Sequence, residues 1–119
     1  YKQKYEQLGK EYAKIETDIE LRAYHRVNVA MDGISNYLKD RKITSPKMLD
    51  FASGIGNESI LFTKEYNAKV DAVNISAEEN ILAEKMKNKF APKADINFLV
   101  GQDGSQLKEN YYDVLFMEF

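Results

Sequence analysis

Met48-Leu49-Asp50-Phe51-Ala52-Ser53-Gly54-Ile55-Gly56-Asn57-Glu58-Ser59 decides how this 119-residue chain folds. Met48, Leu49 and Phe51 carry apolar bulk into a turn, as a buried strand does. Gly54 and Gly56 let the backbone approach a ligand closely, and Asn57 and Glu58 open a helix whose first N–H groups point back at the turn. Strand, glycine loop and helix start in that order make a turn suited to a cofactor, although two glycines alone also serve a plain tight turn.

On the C-terminal side, short apolar runs alternate with helical stretches, the pattern of a parallel sheet with crossover helices. The first strand is expected over Lys47–Phe51 and the following helix over Asn57–Tyr66, with Ile60 and Leu61 facing the sheet. A second strand is expected over Lys69–Ile75. Ser76 with Glu79 has capping-box spacing, which predicts a helix over Ala77–Phe90 burying Leu82, Met86 and Phe90 and stopped by Pro92. The third strand is expected over Ile96–Val100, then a turn over Gly101–Ser105, and the fourth strand over Tyr112–Phe119.

On the N-terminal side the period changes. Tyr5, Leu8, Tyr12, Ile15 and Ile19 recur at three and four, and Val27, Met31, Ile34 and Leu38 resume the rhythm, which predicts amphipathic helices. Thr17 with Glu20 places the end of a first helix near Glu16 and a second over about Asp18–Lys39; one continuous helix is the alternative. The polar run Lys39–Pro46 is a linker. The expected organisation is therefore a helical cap and linker over residues 1–46 and an α/β unit over 47–119.

Composition narrows the function classes. The chain is 44% hydrophobic and 30% charged, and no apolar run is long enough to span a bilayer. Zero cysteines exclude disulfides, thiolate metal sites and cysteine nucleophiles, which suits a cytoplasmic protein, and no metal is expected. Residues 1–46 carry 9 basic and 7 acidic side chains, a balance of +2, and residues 47–119 carry 8 and 12, a balance of −4. Neither suggests a nucleic-acid surface, and Lys85, Lys87 and Lys89 read as a solvated helix face. The chain begins with Tyr1 and stops inside Tyr111–Phe119, an apolar run, so it is expected to be part of a longer protein.

In an open parallel sheet the carboxyl ends of the strands line one crevice where ligands sit. There the first loop brings Asp50, Ala52, Ser53, Gly54 and Gly56. The second brings Asn74 and Ser76, and the third Gln102, Asp103 and Gly104. That set suits a nucleoside, with backbone for a polar tail, a side chain for the ribose and a carboxylate for an exocyclic amine.

Residues 47–119, about three fifths of the chain, resemble the first half of the class I S-adenosylmethionine-dependent methyltransferases. Asp50-Phe51-Ala52-Ser53-Gly54-Ile55-Gly56 matches the family's acid-plus-glycine loop, and Val73-Asn74-Ile75-Ser76 its second motif. Gly101-Gln102-Asp103-Gly104 matches the Asp that follows strand three, and Tyr112-Asp113-Val114 the Asp that opens strand four. The resemblance implies a Rossmann-like fold, S-adenosylmethionine as cofactor and methyl transfer to a small-molecule acceptor. It also implies cofactor contacts at Asp50, Ala52, Ser53, Gly54, Gly56, Asn74, Ile75, Gln102, Asp103 and Gly104. Ala52 departs from the usual first glycine, a mild change at negative φ. Asn74 departs from the usual acid, and a carboxamide has one acceptor oxygen where a carboxylate has two.

Two other readings compete. Gly54-Ile55-Gly56-Asn57-Glu58-Ser59 is close to a dinucleotide fingerprint, which would suit an NAD-dependent oxidoreductase, but Asp50 would face the diphosphate. A catalytically silent binding module of the same fold suits Asn74. His25, the only histidine, is the candidate general base, or else a surface or cap residue; Tyr5, Tyr12 and Tyr24 could line an aromatic pocket or simply pack. Asp113 reads as a strand-opening residue. In the family's strand order strand four has a neighbour on each side, so Val114, Leu115, Phe116 and Met117 are expected beside an open edge that invites self-association.

Overall fold

The computed structural model describes residues 28–51, 56–74, 76–101, 107–108 and 110–117, together with Gln7. The first predicted helix, the Thr17–Glu20 cap, His25 and Tyr5, Tyr12 and Tyr24 lie outside the described residues.

Helix α1 (Asn28–Asp40) presents Met31, Ile34 and Leu38 on one stripe, three and four residues apart, and Met31 and Leu38 are buried. Its end is closed by the N–H of Ile43 on the carbonyl of Leu38 and that of Lys42 on Lys39, at 2.9 and 3.1 Å. This is a Schellman closure with Lys42 at φ 57°, a position glycine usually takes.

The sheet follows: β1 (Lys47–Phe51), α2 (Asn57–Tyr66), β2 (Lys69–Asn74), α3 (Ala77–Phe90), β3 (Asp95–Val100) and β4 (Val114–Met117). All pairings are parallel and the order is β3-β2-β1-β4. This is the α/β, Rossmann-like architecture expected from the alternating runs. The chain steps outward from β1 to β3, then returns to pair β4 with the other side of β1, so the order reverses between β1 and β4. In sheets of this kind ligands bind outside the carboxyl ends of the strands at that reversal.

Strand alternation assigns the two faces. Met48, Asp50, Val70, Ala72, Asn74, Ile96, Phe98, Val114 and Phe116 share one face, and from it Met48, Val70, Ala72 and Ile96 join Ile60, Leu61, Phe62 and Met86 in a continuous core. Met31 brings α1 into the same layer, where the Tyr66 hydroxyl donates to its carbonyl at 2.9 Å. Phe62 meets Phe116 edge-to-face, centroids 5.1 Å apart, which seats α2 over the β1–β4 pair. The other face carries Leu49, Asp71, Val73, Asn97, Leu115 and Met117. On it Leu115 and Met117 of the edge strand are 71% and 51% exposed.

Several expectations are adjusted. The capping box before α3 does not form: the Ser76 hydroxyl donates to the Glu78 carboxylate at 2.9 Å and makes no cap bond to the backbone. That hydroxyl and the backbone N–H at Glu78 hold the Glu78 carboxyl below the usual carboxylate range, the backbone contact being the larger cause. Of the three residues expected to be buried on α3, Met86 is, whereas Leu82 and Phe90 are only half-buried; Asn80 and Ala83 lie deeper. The reason is a close approach. A Cβ on Gly56 would stand 3.1 Å from the Ala83 Cβ and 3.2 Å from Phe98 Cε1, so α3 is drawn in along its Asn80–Ala83 line.

The start of β4 is also shifted, from Tyr112 to Val114. The Asp113 carboxylate accepts the N–H of Lys47 at 2.8 Å while the Asp113 N–H donates to the Lys47 carbonyl at 2.6 Å, a two-way clasp just before the ladder begins. Asp113 is thus a strand-opening residue at the amino ends of the strands, away from the crevice.

Candidate cofactor site

The frame of the site is the join between β1 and α2. Asp50 is the fourth residue of β1 and 1% exposed. Its parity turns it toward α2, where the buried Ser59 hydroxyl donates to Oδ2 at 2.6 Å. A buried carboxylate is costly unless it is hydrogen-bonded, and this bond meets part of that cost while tying the strand end to the first turn of the helix. The two ends of the glycine loop are therefore tied together. Gly56 ends the loop at φ 85°, a left-handed conformation, and its carbonyl takes the first helical bond, from Ile60 at 3.0 Å. Glycine is required there by that φ and by Ala83 and Phe98 on the side a Cβ would occupy.

Of the cofactor contacts that the resemblance implies, Asp50, Gly56 and Asn74 fall within the described residues. Asp50 and Asn74 lie on the same sheet face at the carboxyl ends of adjacent strands, with Asp50 in register with Ala72 and Phe116. Ala52, Ser53, Gly54, Ile75, Gln102, Asp103 and Gly104 lie outside the described residues. Just before the third loop, the Gly101 N–H donates to the Asn74 carbonyl at 2.9 Å and brings the end of β3 beside the end of β2.

Three site residues were not picked out from sequence. Ser59 occupies the third-glycine position of the near-dinucleotide pattern, which was the one signal that could have flagged it. Asn80 looks like an ordinary helix residue, yet it is buried and hydrogen-bonded to Asn74. Asn57 is fully buried, and neither its Oδ1 nor its Nδ2 has a hydrogen-bond partner among the described residues. Leaving such a group unsatisfied costs about 1–3 kcal/mol, so an orphaned carboxamide at the start of α2 fits a site that takes a polar guest or a water. An acid, three carboxamides and a helix start form a donor and acceptor set compatible with a nucleoside carrying an amino-acid tail.

A second polar cluster lies on the opposite face. Asp71 accepts from the Tyr112 hydroxyl at 2.6 Å and the Asn97 Nδ2 at 3.0 Å, with the Lys108 Nζ 3.8 Å away. Lys108 and Lys47 sit over the Tyr111 ring, 4.3 and 4.9 Å from its centroid. The cluster pins Lys108 and Tyr112 to the sheet. Burial, with the hydrogen bond to Asp71, pushes the Tyr112 phenol up to about 12.

A cleft of about 580 Å³ opens at the other pole between the carboxyl ends of α2 and α3, bordered by Lys64, Asn67, Phe90 and Lys93. Its lysines are exposed and it lies at the amino ends of the strands, so it lacks the convergent buried polar groups of the β1–β2 ends. Among the described residues no group of three acidic or histidine side chains is arranged to hold a metal, and no helix is long and apolar enough to cross a membrane.

No family model matches the chain, and no curated protein sequence matches it. Solved structures do. A candidate S-adenosyl-L-methionine-dependent methyltransferase from Methanococcus maripaludis superposes with a TM-score of 0.61 at 19% identity over 88% of this chain and 51% of that one. A candidate sarcosine dimethylglycine methyltransferase from Galdieria sulphuraria gives 0.61 at 19% identity over 72% and 34%. Phosphoethanolamine N-methyltransferase 2 from Haemonchus contortus, solved with S-adenosyl-L-methionine, gives 0.55 at 23% identity over 62% and 17%. The chain spans about half or less of the length of each. With its parallel order, its acid-plus-glycine turn and these superpositions, the chain has the Rossmann-like fold of the class I methyltransferases.

Proposed function

We propose that this chain supplies the S-adenosylmethionine-binding half of a methyltransferase that acts on a small-molecule acceptor. The observation that carries the proposal is Asp50, a buried acid at the end of a central parallel strand beside the topological reversal, held by Ser59 from the helix behind the glycine loop. A turn that serves packing alone has no need of a buried carboxylate. When bound, S-adenosylmethionine supplies an electrophilic methyl group; the protein aligns the acceptor with it and excludes water.

In this reading Asp50, Ala52, Ser53, Gly54 and Gly56 hold the polar tail, largely through backbone. Asn74 and Ile75 serve the ribose, and Gln102, Asp103 and Gly104 the base, with the Asp103 carboxylate accepting from the exocyclic amine. Small acceptors are supported by two of the similar structures. The Haemonchus contortus enzyme is also solved with phosphomonomethylethanolamine and S-adenosylhomocysteine, and a coclaurine N-methyltransferase with N-methylheliamine and S-adenosylhomocysteine. Residues 1–46 are assigned as a helical cap over the site, in which His25 is the candidate base. A cytoplasmic setting belongs to the same reading and rests on the absence of cysteine. The exposed Leu115 and Met117 on the edge strand favour self-association through β4.

Asn74 favours a second reading, a silent module that binds the cofactor without turnover, because a neutral carboxamide stands where a charge-assisted ribose contact is usual. Isothermal titration with S-adenosylmethionine, S-adenosylhomocysteine and NAD, followed by a methyl-transfer assay on small amines, separates the readings. Saturable binding of both adenosyl ligands is the expected result. Binding of NAD alone sinks the proposal, and binding without turnover across acceptors favours the silent module.

A further inference from the structure

Beside the ends of β2 and β3 lies a pair of carboxamides, one on β2 and one on α3, whose orientation is dictated by a backbone carbonyl. Asn80, the fourth residue of α3, places its Nδ2 3.1 Å from the carbonyl oxygen of Leu99. A carbonyl can only accept, so the Asn80 nitrogen must face β3 and its Oδ1 must face elsewhere. That Oδ1 meets the Asn74 side chain at 3.3 Å, and with an acceptor on the Asn80 side only the Nδ2 of Asn74 can face it. The Asn74 oxygen is thereby turned to the side of its amide away from Asn80. Both side chains are buried, Asn74 at 4% and Asn80 at 9% exposure, so water competes little for these contacts.

We propose that Asn80 is a positioning residue for the ribose end of the site. It orients Asn74 so that the carboxamide oxygen, rather than the NH₂ group, is the atom offered to a ribose hydroxyl. The inference rests on the cofactor reading above and deepens it. It also accounts for the neutral residue at position 74. An acid there would set a carboxylate oxygen against the Asn80 Oδ1, and turning Asn80 over to relieve that contact would set its oxygen against the Leu99 carbonyl. The two asparagines work as a pair.

The test is isothermal titration of the full chain with S-adenosylhomocysteine and with its analogue lacking both ribose hydroxyls, read as the ratio of the two dissociation constants, alongside the Tm of each variant. One neutral hydrogen bond gives the wild type a ratio of about fivefold. Asn80→Leu removes both contacts of the side chain and is expected to bring the ratio to within about twofold of unity. Asn80→Asp loses the donor to Leu99 but keeps an oxygen facing the Asn74 Nδ2, so its ratio stays near the wild-type value even though its Tm falls. Should Asn80→Leu fail to fold, Asn80→Ala, which also removes both contacts, takes its place with the same expected ratio.

A merely structural Asn80 would lower Tm in both variants and leave both ratios unchanged. Retention of the ratio in Asn80→Leu, or its loss in Asn80→Asp, overturns the inference. A wild-type ratio near unity overturns it while leaving the cofactor reading intact. Failure of the wild type to bind S-adenosylhomocysteine removes that reading and the inference with it.

Discussion

Ser59→Ala deletes one oxygen from the frame of the site and tests whether the join between β1 and α2 is held as described. Both partners are buried, Ser59 completely, and the bond is 2.6 Å long. The hydroxyl is small, so little cavity is left, and the loss is mainly a hydrogen bond to a charged acceptor, about 1.5–3 kcal/mol. Asp50 has a further interaction, which keeps it from being stranded and places the expected cost near 2 kcal/mol. For a domain of this size, at roughly 4 °C per kcal/mol, Tm falls by about 8 °C.

Urea unfolding followed by circular dichroism reads the effect: the midpoint moves down and the m-value stays constant, because the surface exposed on unfolding is unchanged. Repeating Ser59→Ala in an Asp50→Leu background closes a double-mutant cycle. The second measurement is expected to cost less than about 0.5 kcal/mol, because the hydroxyl then has no charged partner to lose. A cost below about 0.5 kcal/mol in the wild-type background, with m constant, would refute the reasoning, since a buried bond to a carboxylate cannot be worth so little.

Gly56→Ala forces a Cβ to within 3.1 Å of Ala83 and 3.2 Å of Phe98 at φ 85°, and overpacking with left-handed strain is expected to cost about 2–4 kcal/mol in the same urea assay. The Tyr112 phenol, raised from 10.0 to about 12, favours its neutral form in the folded state. Its contribution to stability is therefore complete below pH 10 and is lost as pH rises through about 12; absorbance at 295 nm should show one tyrosine ionising after the others, and Tyr112→Phe should abolish that late step. Leu115→Lys with Met117→Lys puts two charges on the exposed side of the edge strand. Sedimentation velocity is expected to show concentration-dependent association for the wild type and a monomer for the variant, and equal behaviour of the two removes the case for a β4 contact.

Element limits were legible wherever the chain punctuates itself. Lys47–Phe51, Asn57–Tyr66 and Ala77–Phe90 stand where they were expected, because Pro46, Gly56, Asn67 and Pro92 each carry a backbone constraint that acts locally. Side-chain partnerships were not legible in the same way. Ser76 has the spacing of a capping residue, but a carboxylate two residues on competes for its hydroxyl. Leu82 and Phe90 have the right apolarity for a core, but which stripe of α3 turns inward is decided by Gly56, at the start of the neighbouring helix.

The same distinction holds in the site. Asp50 and Asn74 could be placed at strand ends from their own neighbourhoods. The roles of Ser59 and Asn80 depend on which groups on another element face them, and no local pattern reports that. Asp71 is an intermediate case: an acid inside the apolar run Val70–Val73 signals a buried partner, while its identity, Tyr112, is 41 residues away.

The return of the chain to β1 has a consequence for the order in which the molecule assembles. Lys47 pairs with Lys69, 22 residues on, and Lys69 with Asp95, 26 residues on, but Met48 pairs with Val114, a separation of 114 − 48 = 66. Closing the longest of these loops from an open chain costs about 1 kcal/mol more than closing the shortest. β1, β2 and β3 with their two helices can therefore gather first, and β4 joins a template already built. Substitutions in β4 should accelerate unfolding and barely slow refolding, whereas substitutions at Val70 or Ile60 should slow refolding. Because Asp50, Ser59, Asn74 and Asn80 all belong to the part that gathers first, the frame of the candidate site stands before β4 closes the sheet beside it.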